Sequence, residues 1–532
     1  MRETIYYGGE IIVFNEERYV EAVYVKNGLI EELGKTGELL KKYHKAALFD
    51  LEGKTLIPGF FDAHSHYFQV GLREGTEINL NSYPIGKIKK FEEILLKIKQ
   101  KAQKTEKGEL IKGFGFDDSN LEDGRFLTRK DLDEISDVHP IIIRHISGHI
   151  HFLNTMGLRM LQIDDFAENP ADGIFVKNVD GKVNGVIEEA LDLLNIYLAK
   201  VTNEDEKVAI ETANKIYSKA GITTASTGAT RTLKEIDLLK WGQENKVIKS
   251  RIILNRNIAL IDKLDDFKFD DMLMKGTGKT YQDGSIQGYT GYLTKPYFKV
   301  PKDKDETYRG YPMWPKDELI KTVKAFHDRG EQVYIHGNGD AAIDDILDAF
   351  EECQTKNPVS DARHVVIHSQ MAREDQLDRM KKLGVIPSFY ILHTYYWGDR
   401  HVNIFMGPDR AMRMSPCKSA LDRGIIFTLH SDSPVVPMEP LKIIWSAVNR
   451  LSTTGRVIGE KQKISVEDAL KASTLNSAYQ YKLENVLGSI EKGKFADFVV
   501  LSENIYKCDP LKIKDIEILK TIVNDEVIYS KD

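Results

Sequence analysis

The chain of 532 residues has only three cysteines, Cys353, Cys417 and Cys508. They are odd in number and far apart, which excludes a disulfide framework and a Cys-x-x-Cys metal knuckle. No run approaches the roughly 20 apolar residues of a bilayer-crossing helix, and the initial Met-Arg-Glu-Thr-Ile lacks the apolar core of a secretory signal. Basic charge is not in excess either: 74 Lys and Arg against 81 Asp and Glu leave a net charge of −7. A phosphate-binding surface needs the opposite balance. Stretches such as residues 87–104 mix both signs, as solvated helix faces do. Internal repeats, low-complexity tracts and Pro-rich linkers are missing. Together these absences predict a reduced, cytoplasmic protein that uses neither nucleic acid nor membrane as a partner.

What is present is an ordinary globular composition, 42% hydrophobic and 29% charged, long enough for more than one structural unit. The first 55 residues alternate short apolar runs with turns (4–7, 10–14, 21–26, 29–33, 47–51), leaving room for a helix only near 37–43. Residues 496–501 and 521–529 are likewise β-branched and aromatic. These two ends predict one small β-sandwich domain built from 1–55 plus 485–532.

Between them, apolar strands of five to eight residues alternate with amphipathic helical stretches, the signature of βα units and a parallel sheet. The expected strands are 56–66, 221–227, 251–257, 279–283, 332–338, 364–370, 384–390 and 425–431. Eight is the number that closes a (β/α)8 TIM barrel with a packed interior, so an α/β barrel is expected over 56–484. The long stretch after the first strand has strands of its own at 110–116 and 140–146, and predicts a subdomain inserted at about 70–205 over the barrel mouth.

The sharpest motif is Pro58-Gly59-Phe60-Phe61-Asp62-Ala63-His64-Ser65-His66. On a strand, positions i and i+2 face one side, so both imidazoles can reach one ion. Neutral imidazole suits Zn²⁺ and similar ions. Further ligand types close later apolar runs: His336 in Val-Tyr-Ile-His-Gly-Asn-Gly-Asp, His368 in Val-Val-Ile-His-Ser-Gln, and Asp432 in Thr-Leu-His-Ser-Asp-Ser-Pro. Catalytic groups of a barrel gather at such strand ends.

This ordered set, with Lys279-Thr-Tyr-Gln-Asp-Gly-Ser and the tail motif Gly488-Ser-Ile-Glu-Lys-Gly-Lys-Phe-Ala-Asp, resembles the amidohydrolase superfamily. The likeness is to its YtcJ-like branch, which includes N-substituted formamide deformylase, and it covers nearly the whole chain. The resemblance implies one or two divalent ions, zinc in the first place. His64, His66 and Asp432 would hold the first, His336 and His368 the second, with Lys279 as a bridging carbamate. That last role requires a neutral amine, hence a pKa lowered by desolvation or nearby cations. Asp432 would move the proton in catalysis. His430 stands where related proteins often carry glycine, and is expected to pack or to brace a ligand from behind.

Substrate contacts are expected from His149 in the insertion, from Asp283, Gln287 and Tyr289 after the fourth strand, and from His393 after the seventh, in line with the loops that build barrel pockets. The predicted activity is hydrolysis of an amide-type carbon–nitrogen bond in a small molecule: an N-substituted formamide, an N-acyl amine or a cyclic amide. Two alternatives stay open, an ester or phosphoester hydrolase with the same site, and a non-catalytic binding or regulatory barrel. Whether the chain forms a homo-oligomer is left open as well.

Overall fold

Val365–His368 and Ile386–Phe389 are buried along their whole length, as strands of a parallel sheet covered on both faces must be. They belong to a sheet of eight strands in chain order, all parallel neighbours: Phe60–Phe61, Ile222–Ser226, Arg251–Asn257, Leu273–Tyr281, Val333–Gly337, Val365–His368, Ile386–Phe389 and Thr428–Leu429. Beyond the ends of the first and last strands, Asp432 N–H donates to His64 O at 3.2 Å and His66 N–H to Ser433 O at 2.8 Å. These coordinates come from a computed structural model that describes residues 2–118, 121–122, 124–146, 150–170, 173–189, 194, 201–301 and 304–531.

Helices connect most of the strands. In Asp340–Lys356, Ile343, Ile346, Leu347 and Phe350 recur at helical spacing and are buried, which is the apolar stripe a helix needs to lie on a sheet. One connection departs from the expected pattern. Between Arg251–Asn257 and Leu273–Tyr281, all described residues, only a 3-10 turn at Ile258–Leu260 forms and no α-helix.

Two strands differ from expectation for identifiable reasons. The fourth starts at Leu273, six residues before the predicted 279, and Lys279 therefore lies near its C-terminal end. Lys275, Gly276 and Gly278 break the apolar pattern there. Gly278 is required by packing, because a Cβ at that position would come within 2.6 Å of the Phe326 ring. The predicted 56–66 strand is two strands: Thr55–Pro58 pairs antiparallel with Phe498–Leu501, and Phe60–Phe61 enters the parallel sheet. Gly59 makes the transfer, where a Cβ would stand 2.2 Å from Thr223 Oγ1.

The strands of both chain ends form one hydrogen-bonded sheet rather than two separate ones. Its order runs Glu526–Ser530, Ile518–Val523, Phe498–Leu501, Thr55–Pro58, Glu3–Ile12, Tyr19–Lys26 and Leu29–Gly34, with Ala47–Asp50 added beside Glu3–Ile12. The predicted 521–529 strand is a hairpin that turns at Asn524 and Asp525, both with positive φ. Tyr6 and Phe498, two strands apart, meet edge to face with centroids 5.2 Å apart, so both termini share one core.

The two sheets are joined by a buried ion pair. Arg251 donates from Nε to Asp497 at 2.7 Å and from Nη2 at 3.1 Å, and its guanidinium lies 3.9 Å from the Phe495 ring centroid. Replacing Arg251 by Met strands a buried carboxylate. The variant is expected to lose about 3–5 kcal/mol of stability, read as a lower urea midpoint; an unchanged midpoint would remove this pair from the account of the fold.

Residues 68–213 form a second compact unit. It has its own six-stranded sheet, in the order Gly173–Lys177, Val183–Glu189, Ile150–Leu153, Ile141–His145, Ile111–Phe116 and Ile78–Asn79. Phe91, Ile94, Ile98, Ile111, Phe116 and Phe152 form its core. Among the described residues no helix is long and apolar enough to cross a membrane.

Away from the strand ends, His364 is buried against Phe350, accepts from Val333 N–H at 3.1 Å, and stands 2.9 Å from His327. Burial, with His327 nearby, lowers its pKa to about 3. The folded value lies below the unfolded one, so the stability it contributes is complete above pH 6.5 and is lost as pH falls from 6.5 toward 3. His364→Asn is therefore expected to flatten the acid limb of stability by about one proton's worth of slope, measured as urea midpoints between pH 7 and 4.

Candidate metal centre

His64 and His66 do not sit on a strand. They follow it in a turn, 62–66, whose shape is set by side chains. Asp62 accepts from the Ser65 hydroxyl and from Ser226 N–H, and the Tyr217 hydroxyl lies 2.6 Å from Ser65 Oγ. The backbone bonds to Ser433 and Asp432 lace this turn to the end of the eighth strand. As a result His64 Nε2 and His66 Nε2 stand 3.3 and 3.4 Å from Asp432 Oδ1.

Those atoms are close but not bonded to one another. Asp432 Oδ1 and His64 Nδ1 are both buried without a hydrogen-bond partner. An orphaned buried carboxylate oxygen is costly unless something occupies the point it faces. Ligands about 2.1 Å from one tetrahedral ion stand about 3.4 Å apart, so the three donors fit a divalent cation.

The other predicted ligands gather at neighbouring strand ends. His336 is in register with Tyr281, and His368 with Gly337 and Phe389. His336 Nδ1 and His368 Nε2 face each other at 3.0 Å. The rest of each ring is braced: His336 Nε2 lies 3.2 Å from Gly284 O, and His368 Nδ1 lies 3.1 Å from His430 Nε2. His64 and His368 have ring centroids 5.8 Å apart. His368 and Asp432 both take left-handed backbone, φ 69° and 55°. Such strain costs on the order of 1–3 kcal/mol per residue and concentrates at functional positions.

Lys279 is 1% exposed, its Nζ has no hydrogen-bond partner, and it lies 4.9 Å from the Tyr281 ring centroid. Burial lowers its pKa to about 7, so a large share of the amine is uncharged near neutral pH. Burial also favours the uncharged form of His64, His336 and His368. It lowers His64, with the Lys279 charge adding to the effect, lowers His336 to about 4 for the same two reasons, and lowers His368 together with its neighbour His336. Burial alone would raise Asp432, yet its imidazole neighbours His368, His64 and His66 hold it well below the usual carboxylate range. One carboxylate among imidazole nitrogens is a receptacle for a cation.

The expected substrate contacts divide. His149 lies outside the described residues. Asp283 gives its oxygens to backbone N–H groups, Oδ1 to Asn338 at 2.9 Å and Oδ2 to Gly339 at 2.7 Å and Tyr292 at 3.0 Å, and so pins the loop after His336. Tyr289 packs on Tyr297 and Phe405 with centroids 4.9 and 5.1 Å away. Gln287 Oε1 and His393 Nδ1 are buried without partners.

Tyr390, which the sequence presents only as the end of an apolar strand, has an unpartnered buried hydroxyl. Its ring stacks on His430 at 5.7 Å and lies 4.3 Å from His393. A readable signal existed for two other polar residues missed in the sequence: Ser388 and Thr428 place hydroxyls inside otherwise apolar, fully buried strands. A second group, Asp117, Asp118 and His145, also lies within 4.8 Å in the 68–213 unit, where His145 Nε2 and Asp118 Oδ1 are 3.2 Å apart.

A family model described as Amidohydrolase family matches residues 47–529. The chain is 26% identical, over an alignment of 547 positions, to the YtcJ protein of Bacillus subtilis (strain 168), covering 99% of this chain and 100% of that one. It is 25% identical over 522 residues to N-substituted formamide deformylase of Arthrobacter pascens, covering 96% and 95%. The crystal structure of an uncharacterized metal-dependent hydrolase from Pyrococcus furiosus superposes with a TM-score of 0.76 at 25% identity, covering 95% of this chain and 100% of that chain.

Proposed function

Because the chain belongs to the amidohydrolase family, we propose that it hydrolyses an amide-type carbon–nitrogen bond in a small molecule such as an N-substituted formamide, an N-acyl amine or a cyclic amide. The observation that carries this is the meeting of His64 Nε2, His66 Nε2 and Asp432 Oδ1 beside the His336–His368 nitrogen pair. The proposal takes the eight parallel strands as a closed (β/α)8 barrel with these residues at its C-terminal end; the hydrogen bonds from 432 to 64 and from 66 to 433 support closure.

His64, His66 and Asp432 would hold one zinc-like divalent ion and His336 and His368 a second, with Lys279, as the carbamate its uncharged amine can form with CO₂, between them. Such ions polarise a carbonyl oxygen and bring the pKa of water toward neutrality. Asp432, ionised before reaction, takes a proton from the attacking water; as the carbon–nitrogen bond breaks, it returns that proton to the departing nitrogen, so the products are an acid and an amine, joined in one molecule when the substrate is a cyclic amide. Burial of the surrounding imidazoles strengthens each of these electrostatic contacts. His393 and Gln287, with unspent buried polar atoms, orient the substrate.

The test is metal analysis of the purified protein joined to a turnover screen with paired amide, ester and organophosphate substrates. At least one zinc-like ion per chain and faster turnover of amides are expected. A protein free of metal after purification in zinc-supplied medium, or one that prefers the esters, would overturn the proposal.

A further inference from the structure

His430 lies outside the proposed ligand set, yet it is 1% exposed and touches His368. Behind it stand three more polar side chains that are fully buried: Ser388, Thr428 and Gln480. We propose that Gln480, Thr428, Ser388 and His430 form a one-way hydrogen-bond chain that keeps the proton of His368 on Nδ1, so that its Nε2 lone pair faces the metal centre. The functional half of this rests on the proposed role of His368 as a ligand; the proton order does not.

The order follows from counting hydrogens. Gln480 Nε2 donates to the backbone carbonyl of Ala63 at 3.0 Å. A flipped amide would set two acceptors against each other there, so the orientation is fixed and Oε1 points the other way. Thr428 Oγ1 lies 2.6 Å from Oε1 and must give it its only hydrogen. Ser388 Oγ, 2.8 Å from Thr428 Oγ1, can then meet it only as a donor, which spends the serine hydrogen. His430 Nδ1, 2.9 Å from Ser388 Oγ, must therefore carry a hydrogen of its own.

In a neutral imidazole the other nitrogen is then an acceptor. His430 Nε2 accepts from His368 Nδ1 across 3.1 Å, and His368 Nε2 is left with a lone pair. His430 is 1% exposed, and its two ring nitrogens meet a hydroxyl and an imidazole rather than a carboxylate, surroundings that favour the uncharged ring. Each link is forced by the previous one, and the whole order is anchored by one backbone carbonyl.

His336 is built differently. Its Nε2 has two partners, Asn338 Nδ2 at 3.0 Å, which can donate to it, and Gly284 O at 3.2 Å, which can accept from it. It can hold its proton on either nitrogen, whereas His368 has one choice. Cation uptake then requires a single proton to change place, at His336, and His368 is ready beforehand. A hydrogen-bonded partner behind a ligating histidine commonly changes metal affinity by about 10–100-fold. His430, Ser388, Thr428 and Gln480 are in this sense positioning residues.

Selective 15N-histidine labelling of the full-length protein, followed by NMR before and after zinc addition and assigned with single-histidine variants, tests the chain. The wild-type protein is expected to show His368 protonated on Nδ1 in both states, and His336 moving its proton from Nδ1 to Nε2 with zinc. Thr428→Val keeps the side-chain shape but frees the Ser388 hydrogen to point at His430. The order should reverse, putting the His368 proton on Nε2 and weakening zinc binding by about 10–100-fold. Thr428→Ser should restore both. Ser388→Ala provides a second break, expected to mix the two forms.

A wild-type His368 protonated on Nε2, or a Thr428→Val variant with unchanged proton order, would overturn the proposal, as would weaker zinc binding without a change of proton order. If His336→Ala and Asp432→Asn bind zinc as tightly as wild type, it is the metal reading that fails. The proton order in zinc-free protein is still decided separately by the same spectra.

Discussion

Asp432→Asn is expected to lower turnover by about 10²–10⁴-fold, the range set by losing a positioned proton acceptor, while leaving the fold intact. Three properties of the site converge on that carboxylate. Its Oδ1 is the unpartnered atom that both His64 and His66 face, it is the one carboxylate among the gathered imidazoles, and it sits on left-handed backbone at φ 55°. Asparagine tolerates that conformation better than alanine does, so the substitution removes charge and basicity without forcing the turn to move. Metal content should fall along with turnover, because a neutral amide oxygen is a poorer ligand. Circular dichroism and the urea midpoint establish that the fold survives. An Asp432→Asn variant with wild-type turnover would leave the site without its proton carrier.

The second large effect concerns Lys279, where the structure sets function against stability. An ammonium with no partner at 1% exposure is expensive to bury, and its lowered pKa of about 7 expresses that cost. A folded value below the unfolded one means that stability is penalised as pH falls from above 10 toward 7. Lys279→Met, close in length and apolar, should therefore stabilise metal-free protein by about 1–3 kcal/mol near pH 7.5, the scale of an unsatisfied buried polar group. The gain should shrink as pH approaches 10.5. Activity should fall by two orders of magnitude or more, and bicarbonate should no longer increase metal uptake. In the wild-type protein that bicarbonate effect should strengthen as pH rises through 7, since only the uncharged amine reacts with CO₂. A variant less stable than wild type, or one that still responds to bicarbonate, would refute the role given to this lysine.

Much of the parallel sheet was legible because a strand buried on both faces has to be apolar throughout, and apolar runs between turn residues are visible in one dimension. Arg251–Asn257 forms over the very residues expected, and Val333–Gly337, Val365–His368 and Ile386–Phe389 lie within the expected ranges. Legibility failed where a strand carries glycine and lysine for packing reasons, as in Leu273–Tyr281, and where one apolar run serves two sheets, as at Gly59. The hairpin within 521–529 is not legible because its two-residue turn at Asn524 and Asp525 is short enough to hide inside a β-rich run.

For the centre, residue types at strand ends were enough to nominate His64, His66, His336, His368 and Asp432. His64 and His66 meet for a different reason from the one their spacing suggests. Alternation along a strand was expected to aim both imidazoles; a turn shaped by Asp62, Ser65 and the backbone of Ser433 does so instead. The hydroxyls of Ser388 and Thr428 could be noticed in the sequence as polar residues in apolar strands, but their partner Gln480 comes from a helix about fifty residues beyond Thr428, and no pattern along the chain announces that contact.

The order of chemical groups along the chain therefore determined by itself that this is an α/β protein with imidazoles and a carboxylate at the ends of buried strands, since burial imposes apolar runs and chemistry restricts which side chains can bind a cation. Only the tertiary structure decided which nitrogen of each ring faces inward, which carboxylates are spent on backbone amides, as at Asp283, and which are left open, as at Asp432. The reason is that a hydrogen bond or a ligand contact depends on distances of a few tenths of an ångström between residues hundreds of positions apart, and such distances exist only once the sheet has assembled.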